Sequence, residues 1–158
     1  MYLRSCEITH NDPHNCARAL LAALYAEQTG SAMPQILTER RGKPCFAHGD
    51  WHFSISHTKR HAFCVLSKTP VGIDAEELDR QVKPQLAQKI LSPRELAQYE
   101  MAQDKKLALL KFWVLKEAAA KLTGEGLHGY PNNTDFSLDD ARLSIIDGCV
   151  VAVMEGKA

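Results

Sequence analysis

The sequence has no excess of either charge, no long apolar stretch and no opening signal segment. Its 158 residues carry 19 basic and 19 acidic side chains, a balance that gives no electrostatic footprint for nucleic acid. The most apolar segments, residues 17–26 and 149–154, are too short to cross a bilayer. The first seven residues lack the basic-then-apolar order of a secretory signal. We therefore expect a cytoplasmic protein with no nucleic-acid partner and no membrane association.

Paired-cysteine motifs are also missing. The five cysteines include no CxxC pair, and their odd number cannot be fully paired within the chain, so we expect reduced thiols. Histidines do recur at i, i+4 spacing, as His10/His14, His48/His52 and His57/His61. That spacing converges on a metal only in a helix, and Pro13, Gly49 and the alternation over residues 51–55 disfavour helices there. A structural zinc site is not expected.

The apolar pattern predicts one domain over residues 1–158 that mixes strands and helices. Strands are predicted at residues 2–9, 51–56, 62–67, 71–76, 136–146 and 149–154. The first predicted helix has a turn and start signal at residues 10–13, an apolar segment over residues 16–27 and an end at Gly30. Further helices are predicted at residues 84–102, with a possible break at Ser92-Pro93, and at residues 104–122. This mixed order favours an α+β fold over a parallel doubly wound sheet.

The same order of elements occurs twice. A strand, a helix and a hairpin opening with Phe53-Ser54-Ile55 are followed by a strand, helices and a hairpin opening with Phe136-Ser137-Leu138. This echo suggests two similar halves, residues 1–68 and 69–158, each with a small antiparallel sheet packed against helix.

Two carboxylates lie on one face of the strand predicted at residues 71–76. Because side chains alternate along a strand, Asp74 and Glu76 point the same way and could both reach one cation. Gly72 lies on that face, where it would leave space for a ligand to approach the backbone. The alternative is an edge strand with an acidic, solvated outer face.

The predicted helix over residues 104–122 carries Glu117 and Lys121 one turn apart. Glu-Ala-Ala-Ala-Lys is also the repeat of solvent-exposed helical spacers, in which such a pair contributes only about 0.2–0.5 kcal/mol. Projection at about 100° per residue instead puts both charges along the apolar stripe centred on Val114. Gly124 then predicts the end of the helix.

A short basic cluster, Arg40-Arg41-Gly42-Lys43-Pro44, precedes the first hairpin. Together with a second cluster, Ser56-His57-Thr58-Lys59-Arg60, it supplies cations and hydroxyls that could hold a multiply phosphorylated small molecule. Taken alone, each cluster is typical of a solvated turn.

Taken together, these motifs resemble those of the 4′-phosphopantetheinyl transferase superfamily, in the single-chain, surfactin-synthetase-type form that is a pseudo-dimer. The matching motifs are Gly42-Lys43-Pro44, Phe53-Ser54-Ile55-Ser56-His57-Thr58, Gly72-Ile73-Asp74-Ala75-Glu76 and Phe112-Trp113-(x2)-Lys116-Glu117-Ala118-(x2)-Lys121-(x2)-Gly124-(x)-Gly126-Leu127. The last two motifs are the specific ones. The resemblance implies two α+β halves related by a pseudo-two-fold axis.

The resemblance also implies an activity, which is Mg²⁺-dependent transfer of phosphopantetheine from coenzyme A to a serine of an apo acyl or peptidyl carrier protein. Adenosine 3′,5′-bisphosphate would be released, and the pathway would be fatty-acid, polyketide or nonribosomal peptide synthesis. By motif position, Asp74, Glu76 and Glu117 would bind the metal. Glu117 would also act as the base, and Lys121 would neutralise phosphate charge. The coenzyme would be held by Arg41, Lys43, Pro44, Ser56 and His57.

Two other functions are compatible with the same motifs. The first is a non-catalytic module that binds coenzyme A or a carrier protein, although retention of Asp74, Glu76, Glu117 and Lys121 argues against it. The second is a two-carboxylate hydrolase, which needs a substrate cleft that no motif indicates. We expect a monomer.

Overall fold

The computed structural model, which describes residues 1–9, 12–39, 42–126 and 134–157, contains both strands and helices. The first half of the order is β1 (Tyr2–Glu7), α1 (Pro13–Thr29), β2 (Ile36–Thr38), β3 (Pro44–Phe46), β4 (His52–His57) and β5 (His61–Ser67). The second is β6 (Val71–Glu77), α2 (Gln85–Ile90), α3 (Pro93–Met101), α4 (Lys105–Thr123), β7 (Leu143–Ile146) and β8 (Cys149–Glu155). The predicted α+β class is confirmed. Within the described ranges, no helix is long and apolar enough to cross a membrane.

Two antiparallel three-stranded sheets form the frame. Their strand orders are β1-β5-β4 and β6-β8-β7. In each sheet, the first strand of the half pairs with the last strand of the following hairpin. This shared connectivity is consistent with two similar halves, whose boundaries and pseudo-two-fold relation stay a prediction.

The two sheets meet where β4 lies against β6. The backbone N–H of Ile73 donates to the Ser54 hydroxyl oxygen at 3.1 Å, so a side chain replaces the missing strand partner. Phe63 and Val65 of β5 pack in one buried cluster with Ile73 of β6 and Val151 of β8. The β6 strand is therefore covered rather than being a solvated edge.

Helix α1 begins at Pro13, as the start signal of residues 10–13 predicts. The Asp12 carboxylate accepts the Asn15 N–H at 3.0 Å, and Pro13 occupies the first turn, where its missing N–H costs nothing. The helix ends at Gly30, which adopts φ 69°. Leu21 and Leu24 pack against Phe53 and Leu66 of the first sheet.

The predicted break at Ser92-Pro93 is confirmed, because it separates α2 from α3. Ser92 caps α3, accepting the Glu95 N–H at 3.2 Å, while the Glu95 carboxylate accepts the Ser92 N–H at 2.8 Å. The same carboxylate forms a 2.8 Å ion pair with Lys116 of α4. Both side chains are buried, at 0% and 2% exposure. Charges so deeply buried are stable only when paired.

The strand predicted at residues 136–146 is wrong over residues 136–142, because β7 begins only at Leu143. Side chains of α3 take the hydrogen bonds that a neighbouring strand would otherwise make. The Phe136 N–H donates to Glu95 Oε1 at 3.0 Å, and the Gln98 amide bonds both Phe136 O and Leu138 N at 3.1 Å. The proposed echo between residues 53–55 and 136–138 therefore fails. The short β2-β3 hairpin is an element that the sequence pattern did not predict.

Candidate active site

Strand β6 and helix α4 touch backbone to backbone at Gly72. A Cβ atom on residue 72 would lie 2.5 Å from the Leu122 nitrogen and 3.0 Å from its Cα, and closer still to the Ala118 carbonyl oxygen. The expectation that Gly72 leaves space for a ligand is wrong, since the helix fills that space. The consequence is that residues 117–121 are held directly over the polar face of β6.

Asp74 lies at the centre of this contact. The predicted alternation is confirmed, because Val71, Ile73 and Ala75 enter a buried apolar cluster while Asp74 faces the other side. Its Oδ1 accepts from Lys121 Nζ at 2.7 Å and from the Ser56 hydroxyl at 3.0 Å. Its Oδ2 is buried without a hydrogen-bond partner in the described part of the chain.

Helix α4 turns Glu117 and Lys121 inward, as the projection predicts. The helix is fixed at its start by the Asp104 carboxylate and at its end by Gly124, with φ 72°. Lys121 Nζ also lies 3.4 Å from the Ile55 carbonyl oxygen, so its amine bridges β4 and β6. The solvated-spacer alternative is wrong, since Lys121 pairs with Asp74 across the fold.

Glu76 and Glu117 have different electrostatic surroundings. Glu76 forms an ion pair with Arg80 of the following turn. Glu117 makes no hydrogen bond or ion pair with the described residues. Burial, and secondly the negative charge of Asp74, raise the pKa of Glu117 above its ordinary value, although Lys121 and Arg80 partly offset this rise. A raised pKa makes Glu117 a better proton acceptor than an ordinary exposed glutamate.

These side chains line one cavity of about 440 Å³. Its wall includes all four residues predicted for metal binding and catalysis, namely Asp74, Glu76, Glu117 and Lys121. Ser56 and His57, predicted to hold the coenzyme, line it too. The structure therefore brings together residues from two strands and a helix that are far apart in the sequence.

A second cavity, of about 210 Å³, adjoins the first and shares Ile55, Glu117 and Lys121 with it. The predicted coenzyme residues Lys43 and Pro44 line this one. Lys43 Nζ donates to the Leu122 carbonyl oxygen at 2.7 Å. Leu122 lies in the last turn of α4, where the helix dipole also stabilises a positive charge. Burial lowers the pKa of Lys43. Arg40 and Arg41 lie outside the described residues.

Two residues outside the motifs, His14 and Arg80, also line the 440 Å³ cavity. So does Trp113, a motif residue to which the sequence reasoning gave no role. The His14 and His57 rings meet edge to face, with centroids 4.7 Å apart. Burial, and then the neighbouring His14 and Lys121, lower the pKa of His57, which favours the neutral ring. Residues 10–13 predicted the helix start that precedes His14, but the contact of His14 with His57 is tertiary and left no sequence signal.

The carboxylate oxygens that line the 440 Å³ cavity are suitable ligands for a hard divalent cation. Three carboxylates line it, and the buried Asp74 Oδ2 lacks a partner among the described residues, as expected for an oxygen that a cation would satisfy. Within those residues, however, no group of three or more His, Cys, Asp or Glu is already arranged around one point. Lys121 and Arg80 instead engage two of the carboxylates. The metal ligands Asp74, Glu76 and Glu117 stay a prediction.

Comparison with known proteins identifies the class. The sequence model of the 4′-phosphopantetheinyl transferase superfamily matches residues 70–147, the segment that contributes Asp74, Glu76, Glu117 and Lys121. Together with the relatives described below, this match shows that the chain belongs to that superfamily, as the motifs predicted.

Three curated relatives carry the same name. The chain is 30% identical over 132 residues to the 4′-phosphopantetheinyl transferase psf-1 of Bacillus pumilus, covering 80% of this chain and 56% of that protein. It is 32% identical over 89 residues to gsp of Aneurinibacillus migulanus, covering 55% and 37%. It is 30% identical over 131 residues to HetI of a Nostoc species, covering 75% and 54%. The chain thus spans about half the length of the relatives that it matches, or less.

Proposed function

We propose that this protein transfers the 4′-phosphopantetheine group of coenzyme A to a serine of an apo acyl or peptidyl carrier protein, releasing adenosine 3′,5′-bisphosphate. One observation carries the proposal. Asp74 and Glu76 from β6 and Glu117 and Lys121 from α4 belong to two separate motifs, yet they line one cavity. The named activity of the three relatives supports it.

The roles follow from the surroundings of each side chain. Glu117 accepts the proton of the carrier serine, because its carboxylate lines the cavity and forms no hydrogen bond or ion pair with the described residues. The serine oxygen then bonds to the phosphorus that carries the pantetheine arm, and the bond from that phosphorus to the leaving bisphosphate breaks. Lys121 neutralises charge on the diphosphate. Lys43, Pro44, Ser56, His57 and Arg41 hold the coenzyme.

Asp74, Glu76 and Glu117 would hold Mg²⁺, which when bound supplies charge neutralisation for the leaving phosphate. Ser56 orients the Asp74 carboxylate through its 3.0 Å hydrogen bond. Gly72 keeps Glu117 over Asp74 by admitting the helix backbone. We also propose that the protein acts as a monomer, which sedimentation velocity with and without coenzyme A would test.

The proposal is tested by incubating the protein with carriers and measuring the mass of each intact carrier by mass spectrometry. The protein is incubated with Mg²⁺, coenzyme A and a panel of apo carriers from fatty-acid, polyketide and peptide synthesis. We expect one carrier or more to gain one phosphopantetheine mass. Glu117→Gln and Asp74→Asn should slow this gain at least about 100-fold. The matched exposed changes Glu7→Gln and Asp139→Asn should not.

Two outcomes would contradict the proposal. If coenzyme A binds but no carrier gains mass, the protein is the non-catalytic binding module that shares these motifs. If carriers gain mass equally with Glu117→Gln, the transfer does not use Glu117 as its base.

A further inference from the structure

Two of the three cavity carboxylates, Asp74 and Glu76, already pair with cations of the chain. Asp74 is neutralised by Lys121, which belongs to the α4 motif. Glu76 is neutralised by Arg80, which belongs to no motif and lies in the turn that follows β6. The Arg80 N–H donates to the Glu77 carbonyl oxygen at 2.9 Å, which fixes the start of that side chain beside the cavity.

While paired with Glu76, the Arg80 side chain also contacts Trp113. Its guanidinium carbon lies 5.9 Å from the centre of the Trp113 ring, a distance at which a cation is attracted to an aromatic face. Arg80 and Trp113 both line the carboxylate cavity, and Arg80 also lines a neighbouring cavity of about 720 Å³. The Arg80 side chain is 43% exposed, whereas Glu76 is 16% exposed, so the arginine is the freer partner.

We propose that Arg80 is a built-in counter-cation of this cavity, which pairs with Glu76 in the metal-free protein and gives it up when a divalent cation binds. This inference rests on the metal site of the proposed function. A guanidinium and a divalent cation compete for the same carboxylate, because both are positive and each disfavours the other nearby. Released Arg80 can keep its contact with Trp113 and turn into the neighbouring cavity that it also lines. The pairing therefore weakens metal binding and keeps Glu76 neutralised until the metal arrives.

The experiment measures metal affinity directly. Mn²⁺ binding is followed by electron paramagnetic resonance, without coenzyme A or carrier, in the parent protein and in Arg80→Gln. A partly exposed ion pair of this kind corresponds to roughly two- to fivefold in an equilibrium constant. We therefore expect Arg80→Gln to bind Mn²⁺ more tightly by that factor and Arg80→Lys to lie between the two.

Lys59→Gln is the matched control. Lys59 lines the neighbouring cavity beside Arg80 and forms no ion pair with Glu76 in the described structure. Its removal tests whether loss of any nearby positive charge has the same effect, so its Mn²⁺ affinity should stay at the parent value.

A second measurement follows Arg80 itself. The chain has two tryptophans, so Trp51→Phe leaves Trp113 as the sole reporter. In that background, Mg²⁺ should change the Trp113 fluorescence, and adding Arg80→Gln should remove most of the change. Parent-like or weaker Mn²⁺ binding by Arg80→Gln would overturn this inference alone. If the parent binds neither metal, the metal site of the proposed function fails with it.

Discussion

At the residue scale, Glu117 illustrates a conflict between stability and function. Its carboxyl is half-buried beside Asp74, and its pKa is raised above the unfolded value. A carboxyl with a raised folded-state pKa favours the fold in acid, and this contribution is lost as the pH rises through the folded pKa. At neutral pH the ionised Glu117 therefore destabilises the metal-free protein.

We expect Glu117→Gln to raise the free energy of unfolding of the metal-free protein at pH 7, by roughly 0.5 kcal/mol or more. The gain should vanish near pH 3, where glutamate is protonated in both states. Urea unfolding at the two pH values measures the difference, with exposed Glu7→Gln as the control. A loss of stability at pH 7 would show that ionised Glu117 is favourably paired.

Gly72 is a second residue whose effect can be calculated from geometry. Because a Cβ there would overlap the α4 backbone, we expect Gly72→Ala to cost about 3 kcal/mol and to weaken coenzyme A binding. Gly148→Ala is the control, because a Cβ there would meet no atom within 4 Å. Its only cost is the positive φ of 71°, which should lower the free energy of unfolding by about 1 kcal/mol. Thermal unfolding and calorimetric titration measure both. Equal costs would mean that α4 shifts freely away from β6.

Strand and helix periodicity predicted where the site residues point, but not what they contact. The period of two placed Asp74 and Glu76 on one face, and the helical projection turned Lys121 inward. The partners come from tertiary contacts without a local pattern. Arg80 lies in a turn, and His14 reaches the cavity only because α1 packs on the first sheet. Gly72 was placed correctly on the polar face, but the space beside it, which was predicted to admit a ligand, is filled by the backbone of α4.

At the scale of elements, the Glu95–Lys116 pair ties α3 to α4 and to the segment that follows residue 133. Glu95 accepts from the Ser92 and Phe136 N–H groups as well as from Lys116. Lys116 Nζ also donates to the Thr134 carbonyl oxygen at 3.3 Å. Lys116 immediately precedes Glu117, so the pair fixes the buried side of the helix that presents the candidate base.

We expect Lys116→Met to cost about 3–5 kcal/mol, because it leaves Glu95 buried with an unpaired charge. The double variant with Glu95→Gln should lose less than the sum of the single changes, since both charges are then gone. Denaturant unfolding of the four proteins gives this coupling energy. The control is Lys111→Met on the same helix, whose amine donates to the Leu138 carbonyl oxygen, with an expected cost of about 1 kcal/mol.

Elements were predicted well where one pattern dominated locally. Gly30 and Gly124 end α1 and α4 in the left-handed conformation, and Ser92 separates α2 from α3. Residues 136–142 alternate enough to suggest a strand, yet Glu95 and Gln98 bind that backbone instead. No local signal shows that two side chains of a distant helix will replace a strand partner.

At the scale of the whole molecule, the candidate site is formed between two sheets. Ser54 and Ser56 of β4 bond Ile73 and Asp74 of β6, and the buried cluster around Phe63 draws on both sheets. The repeated order of elements indicated two halves, and the shared connectivity of the sheets agrees with it. The contact of β4 with β6 could not be predicted, because no turn or short loop joins those strands.

This junction predicts that the two halves unfold together. Trp51 precedes β4 in the first half, and Trp113 lies on α4 in the second, so Trp113→Phe and Trp51→Phe each leave a reporter for one half. Because the buried junction is lost when either half unfolds, the urea midpoint seen by tryptophan fluorescence should match that seen by far-ultraviolet circular dichroism in each variant. Ser54→Ala leaves the Ile73 N–H without its partner and should lower the free energy of unfolding by about 1–3 kcal/mol. Both urea midpoints should therefore fall together. Fluorescence and circular dichroism midpoints that separate in either variant would show that the halves are independent units, and that the β4 to β6 contact adds little to their stability.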